Sequence, residues 1–165
     1  MSSKELLGTY LNDHLAGAAA GVELAEKLAE NYQGTPFGTA VAAVADEIKV
    51  DREILQGLME RLGIGKSPAK QATGWVVEKA TRLRLNRRLT GSEDLTRLLE
   101  TETLSLGIEG KAAMWQVLKD IDGLDGELGR ADFDRLIFRA RQQREALEPY
   151  RLQAATGAFT TTADR

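Results

Sequence analysis

The sequence predicts an all-α fold: a bundle of long helices joined as two antiparallel hairpins, with an additional helical crossover between them. Three observations carry that prediction. Between Phe37 and Leu62 the apolar residues Phe37, Val41, Val44, Ile48, Leu55, Leu58 and Leu62 are spaced by alternating fours and threes, as on a helix presenting one narrow stripe to a helical partner. The breaks between such stretches are short and hold helix-capping residues. No alternating strand pattern and no internal repeat occurs. The 37–62 stripe misses one position, and Asp51 fills it. A carboxylate there costs on the order of several kcal/mol unless it is paired, bound to metal or protonated.

The first helix is expected over residues 4–32. Two interleaved stripes, Leu7-Tyr10-His14-Gly17-Gly21-Leu24-Leu28 and Leu11-Leu15-Ala18-Val22-Ala25-Ala29-Tyr32, merge into one broad apolar face with His14 near its centre. Asn12 falls on the polar side with Glu5, Glu23, Lys27 and Glu30. Gly17 and Gly21 predict a close approach by another backbone. Gln33-Gly34-Thr35-Pro36 supplies a C-terminal cap, an N-cap and a first-turn proline, so the second helix (36–62) returns antiparallel. A crossover helix is expected from Ser67 to Arg88, with Ala69, Thr73, Val76, Ala80 and Leu83 inward. After Thr90-Gly91-Ser92, a helix over 93–121 carries the stripe Leu95-Leu99-Glu102-Leu106-Gly110-Ala113-Val117-Ile121 and a second one, Leu104-Ile108-Trp115-Leu118, on a different side. The loop 122–129 leads to a last helix over 131–155, with stripe Phe133-Ile137-Ala140-Arg144-Leu147-Arg151-Ala154 and a kink or break at Pro149.

The length fits one domain, residues 1–156, followed by a tail at 157–165. Cysteine is absent, which excludes disulfides, thiolate metal sites and a cysteine nucleophile. His14 is the single histidine, so a multi-histidine metal site is excluded as well. The N-terminus has no signal-peptide pattern, and no apolar run approaches the roughly 20 residues that span a bilayer. A cytoplasmic protein with no membrane contact is the expectation.

Counting outward from each joint places the off-pattern charges at common heights. His14 faces the Asp51–Leu55 level, with Glu47 one turn from Asp51; Glu109 faces Arg144, and Glu102 faces Arg151. His14, Asp51, Glu102, Glu109, Arg144 and Arg151 are therefore expected to form a buried charged cluster. The hairpin–crossover–hairpin order over residues 4–155 resembles the ferritin-like four-helix-bundle superfamily. That resemblance implies glutamates from two helices and Glu-x-x-His pairs from the other two, together holding two iron or manganese ions. In this chain His14 stands at the first glutamate level, and Glu47 is followed at i+3 by Val50 with Asp51 next. Glu102 matches the glutamate expected on the helix at 93–121, and Glu148 is followed at i+3 by Arg151. An arginine does not ligate metal, but it supplies positive charge. The centre thus reads as a di-metal site whose cations have been replaced by guanidinium groups, in a non-catalytic protein without a cofactor. The plainer account of the same residues is ordinary ion pairs that fix register. The alternative is a surviving iron, manganese or zinc site at His14, Glu47, Asp51 and Glu102.

Residues 66–88 hold seven basic side chains against Glu78 alone, a net charge of +6 that leaves −9 for the rest of a chain whose total is −3. Lys70, Arg82, Arg84, Arg87 and Arg88 are candidate anion contacts. Nucleic acid is not the expected partner, because Trp75 is the sole aromatic there for base stacking. Gly65-Lys66-Ser67 fails as a P-loop, since Glu60 occupies the first glycine position. Asp120, Asp122, Asp125 and Glu127 fail the EF-hand spacing, with Asp125 where glycine is required. No serine or threonine has a convincing catalytic partner in sequence. The two apolar stripes of the helix at 93–121 suggest either burial under the crossover or a homo-oligomer.

Overall fold

The computed structural model describes residues 2–67, 91–121 and 130–160. Four helices account for most of them: α1 (Ser3–Asn31), α2 (Pro36–Arg61), α3 (Glu93–Asp120) and α4 (Arg130–Phe159). The expected crossover helix and the anion-contact residues Lys70, Arg82, Arg84, Arg87 and Arg88 lie outside the described residues, as does the loop 122–129. Among the described residues no helix is long and apolar enough to cross a membrane.

Helices α1, α2 and α3 start where local chemistry satisfies their free amide groups. Ser2 opens α1 through a capping box, its hydroxyl accepting from Glu5 N–H at 3.3 Å while Glu5 Oε2 accepts from Ser2 N–H at 2.6 Å. Thr35 caps α2 by accepting from Gly38 N–H at 3.0 Å, and Ser92 caps α3 by accepting from Leu95 N–H at 3.2 Å. The α1–α2 joint is tight enough to dictate two glycines. Gly34 has φ of 80°, and a Cβ on Gly38 would come within 2.0 Å of the Tyr32 carbonyl oxygen.

Helix α1 packs on α2 and on α3, and α4 packs on α3 and on α2. Two apolar clusters set the directions. One joins Leu11 and Leu15 of α1 to Leu55, Leu58 and Met59 of α2, Met114, Trp115 and Leu118 of α3, and Phe133, Leu136 and Ile137 of α4. The other joins Val22, Ala25 and Leu28 to Phe37, Val41, Val44, Ala45 and Ile48, Leu104, Ile108 and Ala112, and Ala140 and Leu147. The start of α1, the end of α2, the end of α3 and the start of α4 therefore share one end of the bundle. The helices run up, down, down and up, so the end of α2 and the start of α3 lie at opposite ends of the bundle.

Three expectations change. The core face of α3 is Leu98, Leu104, Ile108, Ala112, Met114, Trp115 and Leu118, whereas Leu106 and Val117 of the other stripe are exposed. The two stripes of this helix are equally regular, and packing chose between them. Asn12 is buried, because the exit from α2 closes on it: its amide nitrogen donates to the carbonyls of Gly8 (2.8 Å) and Gly65 (3.0 Å), and its oxygen accepts from Ser67 N–H (2.7 Å). Helix α4 continues without a break through Pro149, which is exposed, and runs on to Phe159.

Candidate functional site: a charged waist beside a cavity

Between the two apolar clusters lies a level at which the core is polar. Asp51, 1% exposed, holds the position left open in the stripe of α2. Its two carboxylate oxygens accept separately from Lys111 Nζ on α3 and from an Arg139 terminal nitrogen on α4. Gln143 of α4, equally buried, completes the set. Its carbonyl oxygen accepts from Lys111 at 2.6 Å, while its amide nitrogen donates to Glu47 at 2.9 Å and to Asp51 at 3.3 Å. Three helices are thus tied at one height. Burial pushes the Lys111 ammonium below its usual range, and the Asp51 carboxylate draws it part of the way back.

The sequence contains a signal for this arrangement. On α3 the core positions run 104, 108, 111, 115, 118, again by fours and threes, and Lys111 fills the gap just as Asp51 does on α2. On α4, Ala140 is followed by core positions at either 143 or 144, and Gln143 takes the slot expected for Arg144. Arg139 reaches inward from the edge of that face.

The predicted buried cluster is therefore corrected. The pairs Glu109–Arg144 and Glu102–Arg151 do form, the latter at 3.1 Å, but they bridge α3 and α4 at the margin of the bundle. The Glu109 and Arg144 side chains are 56% and 44% exposed, and Arg151 divides itself between Glu102 and Glu148 (2.7 Å). Glu102 lost its core slot when α3 turned its other stripe inward. His14 sits at the edge of the α1 face with its ring edge-on to Tyr10, centroids 4.6 Å apart. Burial holds its pKa below the ordinary histidine value, opposed by the nearby Asp13 carboxylate. Nor does the proposed metal set assemble. Glu47 meets Asp51 through Gln143, Glu102 faces Arg151 and His14 faces Tyr10. Among the described residues no group of three or more His, Cys, Asp or Glu is gathered as ligands would be.

Alongside the waist, α1 and α3 stand apart. They enclose a partly open cavity of about 500 Å³ with mostly apolar walls, whose inner side includes Asp51 and Lys111. Four glycines line it, Gly17 and Gly21 on α1 and Gly107 and Gly110 on α3, and a Cβ built on any of them would meet nothing within 4 Å. Among the described residues no backbone makes the expected close approach to Gly17 or Gly21. Each glycine costs about 1 kcal/mol relative to alanine in a helix interior, and no contact here offsets that cost. His14 lines this cavity together with Asp51, Arg52 and Leu55. Two more cavity-lining residues, Arg52 and the stripe residue Trp115, each carry a buried N–H (Nε and Nε1) without a hydrogen-bond partner among the described residues.

No family model matches the chain, and neither a curated protein nor a solved structure is significantly similar to it.

Proposed function

We propose that the protein is a non-catalytic bundle of ferritin-like arrangement whose central position is held by side-chain cations rather than by metal ions. The observation carrying this reading is the Asp51 carboxylate, buried and saturated by Lys111 and Arg139. Two fixed cations offer such a carboxylate the charge that metal ions would otherwise supply. The up-down-down-up order of the helices supports the ferritin-like part of the proposal. Lysine and arginine, rather than the two arginines expected from sequence, fill the role. Lys111, Arg139 and Gln143 together occupy three of the roughly four lone-pair sites of the Asp51 carboxylate. The centre therefore acts as a three-helix lock that sets register.

Metal analysis of protein purified without chelator tests the reading. The expected result is iron and manganese far below stoichiometric amounts, unchanged in Asp51→Ala. About one or two equivalents per chain, lost in Asp51→Ala, would restore the iron or manganese alternative.

A further inference from the structure

We propose that the cavity between α1 and α3 binds an aliphatic monocarboxylate, with the carboxylate at Arg52 and Trp115 and the hydrocarbon chain along the glycine wall. Four glycines in helix interiors line that space, and no described atom lies within 4 Å of a Cβ built on any of them. Their presence calls for an occupant rather than for helix packing. The walls are suited to hydrocarbon, with Leu24, Leu104 and Ile108 toward one end. From His14 to Leu24 the cavity follows ten residues of α1, about 15 Å. That is room for a medium-length extended chain.

The other end is chemically different. Trp115 is fully buried, yet among the described residues its indole N–H has no acceptor; Arg52 is partly exposed, but its Nε is buried and likewise without one. An unmet buried donor is costly, and two donors lining one cavity are matched by a group that only accepts. The waist itself is balanced, Lys111 and Arg139 against Asp51 and Glu47, so the cation that would meet an anion in the cavity is Arg52. Asp13, exposed, is the opposing charge among the lining residues. A carboxylate satisfies both donors, and its desolvation is offset by the guanidinium.

The inference does not depend on the Asp51 centre being free of metal, and its test reads a different quantity. The full chain is titrated calorimetrically with decanoate below its micelle concentration, and in parallel with decanol, which has the same tail without the charge. Saturable one-to-one decanoate binding is expected, with decanol weaker by about tenfold. Arg52→Gln should bring decanoate down to the decanol level and leave decanol unchanged. Gly21→Leu and, independently, Gly107→Leu should abolish binding of both while the thermal transition remains cooperative. No saturable heat, equal binding of acid and alcohol, or binding unaffected by both leucine variants would overturn the proposal. So would co-sedimentation with anionic phospholipid vesicles in the absence of free-decanoate binding, which would assign the charge to a lipid surface instead.

Discussion

Two sets of charges link α3 and α4 to their surroundings, and they differ in depth more than in kind. At the margin Glu109 meets Arg144 and Glu102 meets Arg151, each pair half in water. At the waist Asp51 meets Lys111 and Arg139 with water removed from the carboxylate. Water sets what each is worth. A marginal pair that breaks is resolvated on both sides, so little is lost. A buried set that loses its acid leaves Lys111 largely out of water, and Arg139 partly so, without their shared partner. The waist is thus a device for specificity: it penalises every arrangement of the helices that separates its members, whatever it adds to net stability.

The largest effect that distinguishes the two regions is the loss of Asp51. Asp51→Ala should destabilise the protein by about 3–5 kcal/mol in urea unfolding. A loss no larger than that of a surface pair would show the depth distinction to be empty. Replacing the set together, as Asp51→Leu with Lys111→Met and Arg139→Met, should recover most of that loss, because no charge is then buried alone. If the triple variant stays as weak as Asp51→Ala, the pairing supplies net stability and not merely register. A double-mutant cycle on Glu109 and Arg144 should give a coupling of about 0.2–1 kcal/mol that shrinks with added salt. A larger, salt-insensitive value would move this pair into the same class as the waist.

The smallest effect concerns His14, a titratable group the interior holds neutral. Its folded pKa lies below the ordinary 6.5 because burial disfavours the cation. The unfolded chain therefore takes up a proton first as pH falls. Stability is complete above pH 6.5 and declines below it, through the lowered folded value. His14→Phe should flatten the stability–pH curve in that window, as read from urea midpoints; an unchanged slope would mean His14 is as accessible to protons as a surface histidine.

The same contrast explains what could be read in advance. Caps at Thr35 and Ser92, the glycine at 34 and the heights of Glu109–Arg144 and Glu102–Arg151 follow from local chemistry and residue counting. The partners of Asp51 did not follow, although Lys111 occupies the matching gap in its own stripe. The reason is that α3 offers two regular apolar faces, and choosing the wrong one put Glu102 in the core and Lys111 outside it. On α4 the step from Ala140 can be three or four residues, and that single choice separates Gln143 from Arg144.

What the amino-acid order determined alone is therefore the four described helices, the joint at residues 33–36, the antiparallel pairing of α1 with α2 and of α3 with α4, and the presence of a charge that the core must neutralise. Those properties depend on neighbours within a few turns of the same chain. Which face of α3 turns inward, which cations reach Asp51, and that α1 and α3 part around a cavity instead of closing on their glycines were decided by the packing of all four helices at once. A helix's own periodicity limits the faces it can bury, but only the volume and charge offered by its partners select one of them.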